Sequence, residues 1–276
     1  MSIWYTEKHT PHCGITMAVK KSLYHGESDY QTLDILDTHE FGKVLLLDNT
    51  VMLTERDEFV YHEMLAHVPL FTHPDPRRIL VVGGGDGGTI REVLKHNSVE
   101  EVVLVEIDRM VVEASTEHLP EISLGLKDSR VDIRYEDGVR FVERSAESSF
   151  DVVLIDSTDP VGPAEALFSR NFFQSCHRAL RKEGVFASQS ESPFFHLPFM
   201  MDVRGRIDGI FQQAEFYLAS VTTYPGGTWS FLMGIRGAQP LPYCREGFDI
   251  QTRYYTPQIH LASFALPRYL KEAIKK

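Results

Sequence analysis

Cysteine is scarce. Cys13, Cys176 and Cys244 are far apart and odd in number, and no C-x-x-C pair occurs. Neither a disulfide framework nor a thiolate zinc site is expected, and a reducing cytoplasm fits the usage. Positive charge is also in deficit. Lys and Arg total 28 against 39 Asp and Glu, a formal net charge of −11. That balance argues against a nucleic-acid surface and is compatible with a cationic substrate. No apolar run approaches the length of a membrane span, and the opening MSIWYTEKHT lacks the basic start and apolar stretch of a signal peptide. Repeats and low-complexity tracts are missing. With 43% hydrophobic and 24% charged residues over 276 positions, the chain has the composition and size of one large domain, or of a medium domain with a small appendage.

The hydrophobic rhythm changes along the chain. In residues 1–54, GITMAVKKSLYHGES and YQTLDILDT read as strands, and HEFGKVLLLDNTVMLTE reads as a hairpin turning at Asp48-Asn49. A small antiparallel β domain is expected there, followed by a second domain over residues 55–276. Asp57 to Leu70 reads as a helix with Phe59, Met64, Leu65 and Val68 toward the core, closed by the prolines of THPDPRR. From Arg78 onward, RILVVGGG, EVVLVEID, VDIRYEDG and FDVVLIDS alternate with helical stretches, of which EALFSRNFFQSCHRAL is the longest. GVFASQS and FYLASVTTYPGGTWSFLMGI add further strands. The alternation predicts an α/β fold: a doubly wound, mostly parallel sheet with helices on both faces, whose ligand sits outside the carboxyl ends of the strands.

Those strand ends are rich in acids. ILVVGGGDGGTIREVL places Gly83, Gly85 and Gly88 at the spacing of a dinucleotide-binding turn, with Asp86 in its middle. The second strand ends in Glu106 and Asp108, the third in Asp137-Gly138, the fourth in Asp156 and Asp159. Each acid alone is as readily a helix N-cap. Four successive acidic tips on one rim predict a strongly negative pocket. Like charges about 4 Å apart near a protein surface repel by roughly 4 kcal/mol, so Asp86 disfavours a pyrophosphate and favours a nucleoside that carries positive charge, such as a sulfonium. Glu106, 18 residues beyond Gly88, stands where an acid accepts ribose hydroxyls. Asp137 is placed to accept the adenine amino group.

VVGGGDGGTIREVLKH, VEID, DG, IDSTDPVGPAEALFS and TYPGGTWSF, preceded by LLLDNTVMLTERDEFVYHEML, closely resemble the polyamine aminopropyltransferase family, the spermidine synthases. The resemblance runs from about Trp4 to RYYTPQIHLASFALP and so covers nearly the whole chain. It implies a Rossmann-like, class I methyltransferase-like fold. It also implies transfer of the aminopropyl group of decarboxylated S-adenosylmethionine to putrescine, giving spermidine and 5'-methylthioadenosine. Decarboxylated S-adenosylmethionine is then a co-substrate, and no cofactor or metal is implied. By the same resemblance Gln31, Asp86, Glu106, Asp137, Gly138 and Pro163 hold the donor, with Asp86 on its ammonium. Tyr61, His62, Asp86, Asp156, Ser157, Thr158, Asp159 and Tyr224 hold the amine, and Asp156 accepts its proton. A homodimer or homotetramer built partly through the N-terminal strands is implied as well. Asn49 stands where family members often have Gly, and Asn tolerates the same left-handed turn.

Bland readings stand beside these. His62 and His67 are five apart, so YHEMLAH lacks the one-face spacing of a metal motif. Cys176 and His177 adjoin on a helix and point apart. RDEFVYHEM reads equally as an amphipathic helix, and TYPGG as a turn. Other acceptors (spermidine, agmatine, cadaverine), a methyltransferase and a non-catalytic binding protein remain as alternatives. Asp86 and the paired acids of DSTDP weigh against a methyltransferase, and Asp156 with a complete donor site weighs against a non-catalytic binding protein. Glu191 is a candidate counter-ion for the distal ammonium of a diamine.

Overall fold

A computed structural model describes residues 3–160, 162–238 and 240–275, without the side chain of Pro163. Strands β1 (Ile3–Thr10), β2 (Cys13–Glu27), β3 (Thr32–Thr38), β4 (Lys43–Leu47) and β5 (Thr50–Thr54) form a sheet in sequential order. Every pairing in it is antiparallel. Residues Asp48 and Asn49 join β4 to β5 with φ of 49° and 59°, the two left-handed positions of a tight hairpin turn. Strand β1 was not singled out by the sequence pattern. One face of the sheet packs Leu33, Ile35, Leu45 and Leu53 against Val111 and Ala114 of α3 (Arg109–His118).

The second sheet has seven strands: β6 (Arg78–Gly83), β7 (Glu101–Glu106), β8 (Val131–Tyr135), β9 (Phe150–Asp156), β10 (Leu180–Gln189), β11 (Gln213–Ala219) and β12 (Trp229–Ile235). Their order is β11-β12-β10-β9-β6-β7-β8. Strands β6 to β10 run parallel and β12 runs antiparallel between β10 and β11, which is a Rossmann-like, methyltransferase-like sheet. Side chains alternate across it. Ile79, Val81, Leu104 and Leu154 face α1 (Glu58–Thr72), including Met64, Leu65 and Val68. Leu80, Val82, Val105 and Ile155 face Val142 of α4 (Gly138–Arg144), Phe172 and Phe173 of α5 (Arg170–Ala179), Met200 of α6 (Leu197–Ile207) and Leu270 of α8 (Arg268–Ile274). Burial on both faces explains why these strands read as continuous apolar runs. Each fully buried aliphatic side chain contributes roughly 1.5–3 kcal/mol.

Three boundaries differ from the sequence expectation. Helix α1 runs two residues past its expected end, to Thr72, with Pro69 buried in its last turn. The stretch EALFSRNFFQSCHRAL is two elements. A 3-10 turn over Gly162–Phe168 precedes α5, whose start is fixed by Ser169 accepting the Phe172 N–H at 3.2 Å. Helices α6, α7 (Pro257–Ser263) and α8 were not anticipated. The last two are tethered by Glu63, whose carboxylate accepts the N–H groups of Arg253, Tyr254 and Tyr255 at 2.7, 2.8 and 2.7 Å. No helix among the described residues is long and apolar enough to cross a membrane.

Candidate active site

The strand order reverses between β6 and β9, the place where a crevice opens beyond the carboxyl ends of such strands. A cavity of about 440 Å3 lies there. The β6–β9 register sets Gly83 opposite Asp156, so the glycine turn and the fourth acidic tip meet at its centre. The turn's bare Cα atoms make room for side chains. A Cβ on Gly84 would lie 2.6 Å from Asp156 Oδ2, and one on Gly88 would lie 2.3 Å from the His62 ring. Asp86 closes the turn by accepting the Gly88 N–H on Oδ1 at 2.8 Å, and the same oxygen lies 3.3 Å from His62 Nε2. Both contacts fall on Oδ1, and the residue lines the cavity.

Helix α1 supplies the opposite wall. Tyr61 donates to Asp156 Oδ1 at 2.8 Å, and Thr89 of α2 (Gly88–Val93) donates to Asp156 Oδ2 at 2.6 Å. One turn before His62, Glu58 approaches its Nδ1 at 2.5 Å. Burial alone would depress the His62 pKa, but the Asp86 and Glu58 carboxylates outweigh it and push it up to about 10. Burial opposes ionisation of Asp86 too, and His62 with the Gly88 N–H still holds it below the usual range. Asp156 shifts the other way. Burial first, then the charge of Asp86, raises it. Two half-buried acids of one cavity are thus split, one held low and one raised toward taking a proton. The ligating atoms of His62, Asp86 and Asp156 lie within 4.8 Å of one another. An imidazolium has no lone pair to give a metal, so in this trio only the two carboxylates offer charge to a cation.

The other expected residues line the same space. Glu106 accepts the N–H groups of Gly85 and Asp108 at 3.1 and 2.9 Å, and burial still pushes it up to about 7. Gln31 donates to Asp108 Oδ2 at 3.0 Å, while Asp108 Oδ1 caps α3. Asp137 is the N-cap of α4, accepting from Val139 and Arg140, and also lines the cavity beside Gly138. The Pro163 side chain lies outside the described residues. A second cavity of about 40 Å3 shares Met52, Tyr61, Ser157, Thr158 and Tyr224 with the first and adds Asp159. Tyr224 donates to the Met52 carbonyl at 2.5 Å, so it contributes its ring, 5.7 Å from that of Tyr61. Burial and neighbouring Glu191 push Asp159 up to about 7. Glu191 is buried 2.8 Å from His196 Nδ1 and does not line this cavity.

Sequence reading missed several of these groups. Glu7 of β1 is buried, accepts the Val51 N–H at 2.8 Å and lines the second cavity with Gln189 and Trp229. No local pattern marks it. Glu58 and Thr89 lay inside quoted motifs, but their partners are distant in sequence.

Residues 58–238 match the family model described as the spermine/spermidine synthase domain, and residues 3–55 match the spermidine synthase tetramerisation domain. The chain belongs to the polyamine aminopropyltransferase family. It is 48% identical to the polyamine aminopropyltransferase of Shouchella clausii, covering 100% of both chains. It is also 48% identical to that of Moorella thermoacetica, over 99% of this chain and 96% of the relative. Among solved structures, a spermidine synthase in complex with the transition-state analogue AdoDATO superimposes with a TM-score of 0.96 at 41% identity, over 99% of this chain and 95% of that one. The spermidine synthase of Thermotoga maritima does so with a TM-score of 0.94, also at 41% identity, over 99% and 94%.

Proposed function

We propose that this aminopropyltransferase uses putrescine as its acceptor and decarboxylated S-adenosylmethionine as its donor, forming spermidine and 5'-methylthioadenosine. The observation that carries the reading is the carboxylate placed in the glycine turn. Asp86 lines the cavity, its pKa is held low by His62 and the Gly88 N–H, and its carboxylate lies within 4.8 Å of the ligating atoms of Asp156 and His62. It is a counter-charge for the ammonium that decarboxylation leaves on the donor tail. Glu106 and Gln31 take the ribose side, Asp137 and Gly138 the adenine side.

The acceptor occupies the space between Tyr61, His62, Tyr224 and the segment Asp156 to Asp159. An alkylamine of pKa near ~10 arrives protonated, and an acidic pocket strengthens that preference. Asp156 takes the proton. The freed lone pair forms the C–N bond as the C–S bond breaks, and that electron pair leaves on sulfur as the neutral thioether. Tyr61 and Thr89 hold the carboxylate in line. The second cavity is small and is lined by Glu7, Asp159 and Trp229, which favours a short diamine whose distal ammonium meets Asp159 and Glu7 rather than Glu191. An oligomer through the N-terminal sheet and a cytoplasmic setting, with no nucleic-acid or membrane partner, complete the proposal.

Asp86→Asn tests the reading. Affinity for decarboxylated S-adenosylmethionine falls by the roughly 1.5–3 kcal/mol of a charge-assisted hydrogen bond. Affinity for 5'-methylthioadenosine, which lacks the ammonium, stays nearly constant, and S-adenosylmethionine loses less or gains. Equal losses for all three would make Asp86 structural. Incubation with an amine panel tests the acceptor: faster turnover of spermidine, agmatine or cadaverine than of putrescine would replace it.

A further inference from the structure

Glu58 does not line the cavity, yet it is tied to it through one ring. Its carboxylate is 2.5 Å from His62 Nδ1 and accepts from Arg91 Nη2 at 3.1 and 2.8 Å. On the other side of the ring, His62 Nε2 is 3.3 Å from Asp86 Oδ1. The ring face lies where a Gly88 Cβ would be. Two carboxylates and a bare glycine therefore hold the imidazole. The charges alternate outward from the cavity: Asp86, His62, Glu58, Arg91, then Glu92, which Arg91 Nε reaches at 2.8 Å and Lys95 at 2.5 Å.

The alternation has an electrostatic consequence. An imidazolium paired with Asp86 alone would cancel the charge that attracts an arriving ammonium. A second carboxylate behind the ring restores one net negative charge to the group of three. We propose that Glu58 is a positioning residue for aminopropyl transfer: acting through His62, it fixes Asp86 and preserves the negative charge that Asp86 presents to the donor's ammonium. The inference rests on the donor role given to Asp86 above. The groups facing His62 are Glu58 and Tyr61 from α1, Asp86 from the turn, Arg91 from α2 and Asp156 from β9.

Glu58→Gln keeps the shape and removes the charge. The readout is the affinity for decarboxylated S-adenosylmethionine divided by that for 5'-methylthioadenosine, measured by calorimetry from pH 6 to 9. Taking this ratio cancels fold damage and the titration of Glu106. The ratio falls about tenfold at pH 6 relative to the parent protein, on the scale of one charge-assisted hydrogen bond. The deficit shrinks as pH rises and His62, deprived of Glu58, loses its proton. Glu58→Asp restores part of the ratio. An unchanged ratio, or a deficit without pH dependence, overturns the proposal. If Asp86→Asn has meanwhile given its ligand-dependent loss, only the role of Glu58 fails. Should Glu58→Gln not fold, side-chain 15N spectra of the parent protein decide. His62 protonated on both nitrogens at pH 8 is required, and a neutral ring there refutes the inference.

Discussion

Nucleoside binding is expected to release a proton, and Glu106 is the reason. In the free protein burial drives this carboxyl up to about 7, even though the Gly85 and Asp108 N–H groups favour its anion. A ribose diol donates to the carboxylate, so the complex favours the ionised form. The sign follows: affinity is fully present above pH 7 and is lost as pH falls through the free-state value. If only the anion binds, affinity for 5'-methylthioadenosine drops about tenfold between pH 8 and pH 6, and about half a proton leaves per binding event at pH 7. Calorimetry in two buffers of different ionisation heat measures both quantities. Asp159 titrates in the same range but faces the second cavity, beyond the nucleoside. Glu106→Gln separates the two: it should flatten the pH profile and cost roughly 1.5–3 kcal/mol of affinity at pH 8. Constant affinity from pH 6 to 8, with no buffer-dependent heat, would refute the assignment of Glu106 to the ribose.

Other substitutions probe other parts of the construction. Asp156→Asn should retain 5'-methylthioadenosine affinity and lose about 10²–10⁴-fold in turnover, the usual range for a general base; turnover within about threefold of the parent removes Asp156 from that role. Gly88→Ala places a methyl against the His62 ring, so donor KM should rise while nucleoside affinity changes little. Parent-like donor kinetics would show that the ring has room to shift. Glu63→Gln halves the acceptors offered to three backbone N–H groups, that of Tyr255 buried. Denaturant unfolding should register a loss of about 2 kcal/mol, and proteolysis should start near residue 253. Unchanged stability would mean the C-terminal helices are held by packing alone.

The fold was legible where chemistry repeats. Strands β6, β7 and β9 are buried on both faces, so they appear as β-branched runs separated by helix-length segments. The Asp48-Asn49 pair announced its own turn. The C-terminal third carries no such rhythm: α6, α7 and α8 are short, and two of them start with proline near their first turn. Their place is set by contacts distant in sequence, Glu63 to Tyr255 above all, and no local pattern encodes a partner 192 positions away. The break at Ser169 is a capping decision that helix periodicity alone does not show.

At the site, the acids were legible because a parallel sheet brings every strand's carboxyl end to one rim, so a list of strand tips is already a list of neighbours. Which partners each acid holds there was not legible. Asp137 proves to be both helix cap and cavity wall, Asp108 holds Gln31 in place, and Asp159 faces Glu191. These are pairings between elements, and spacing within one element carries no information about them. The glycine turn shows the limit most sharply. Its spacing matches a phosphate-binding loop, where missing side chains let backbone approach a pyrophosphate. Here the same emptiness is filled by protein: the Asp156 carboxylate stands over Gly84 and the His62 ring over Gly88. A motif defined by the absence of side chains cannot say what occupies the space they leave. In this turn that role falls to Asp86. Its charge makes phosphate an unfavourable occupant, and the ammonium proposed for the donor is the group that would answer that charge.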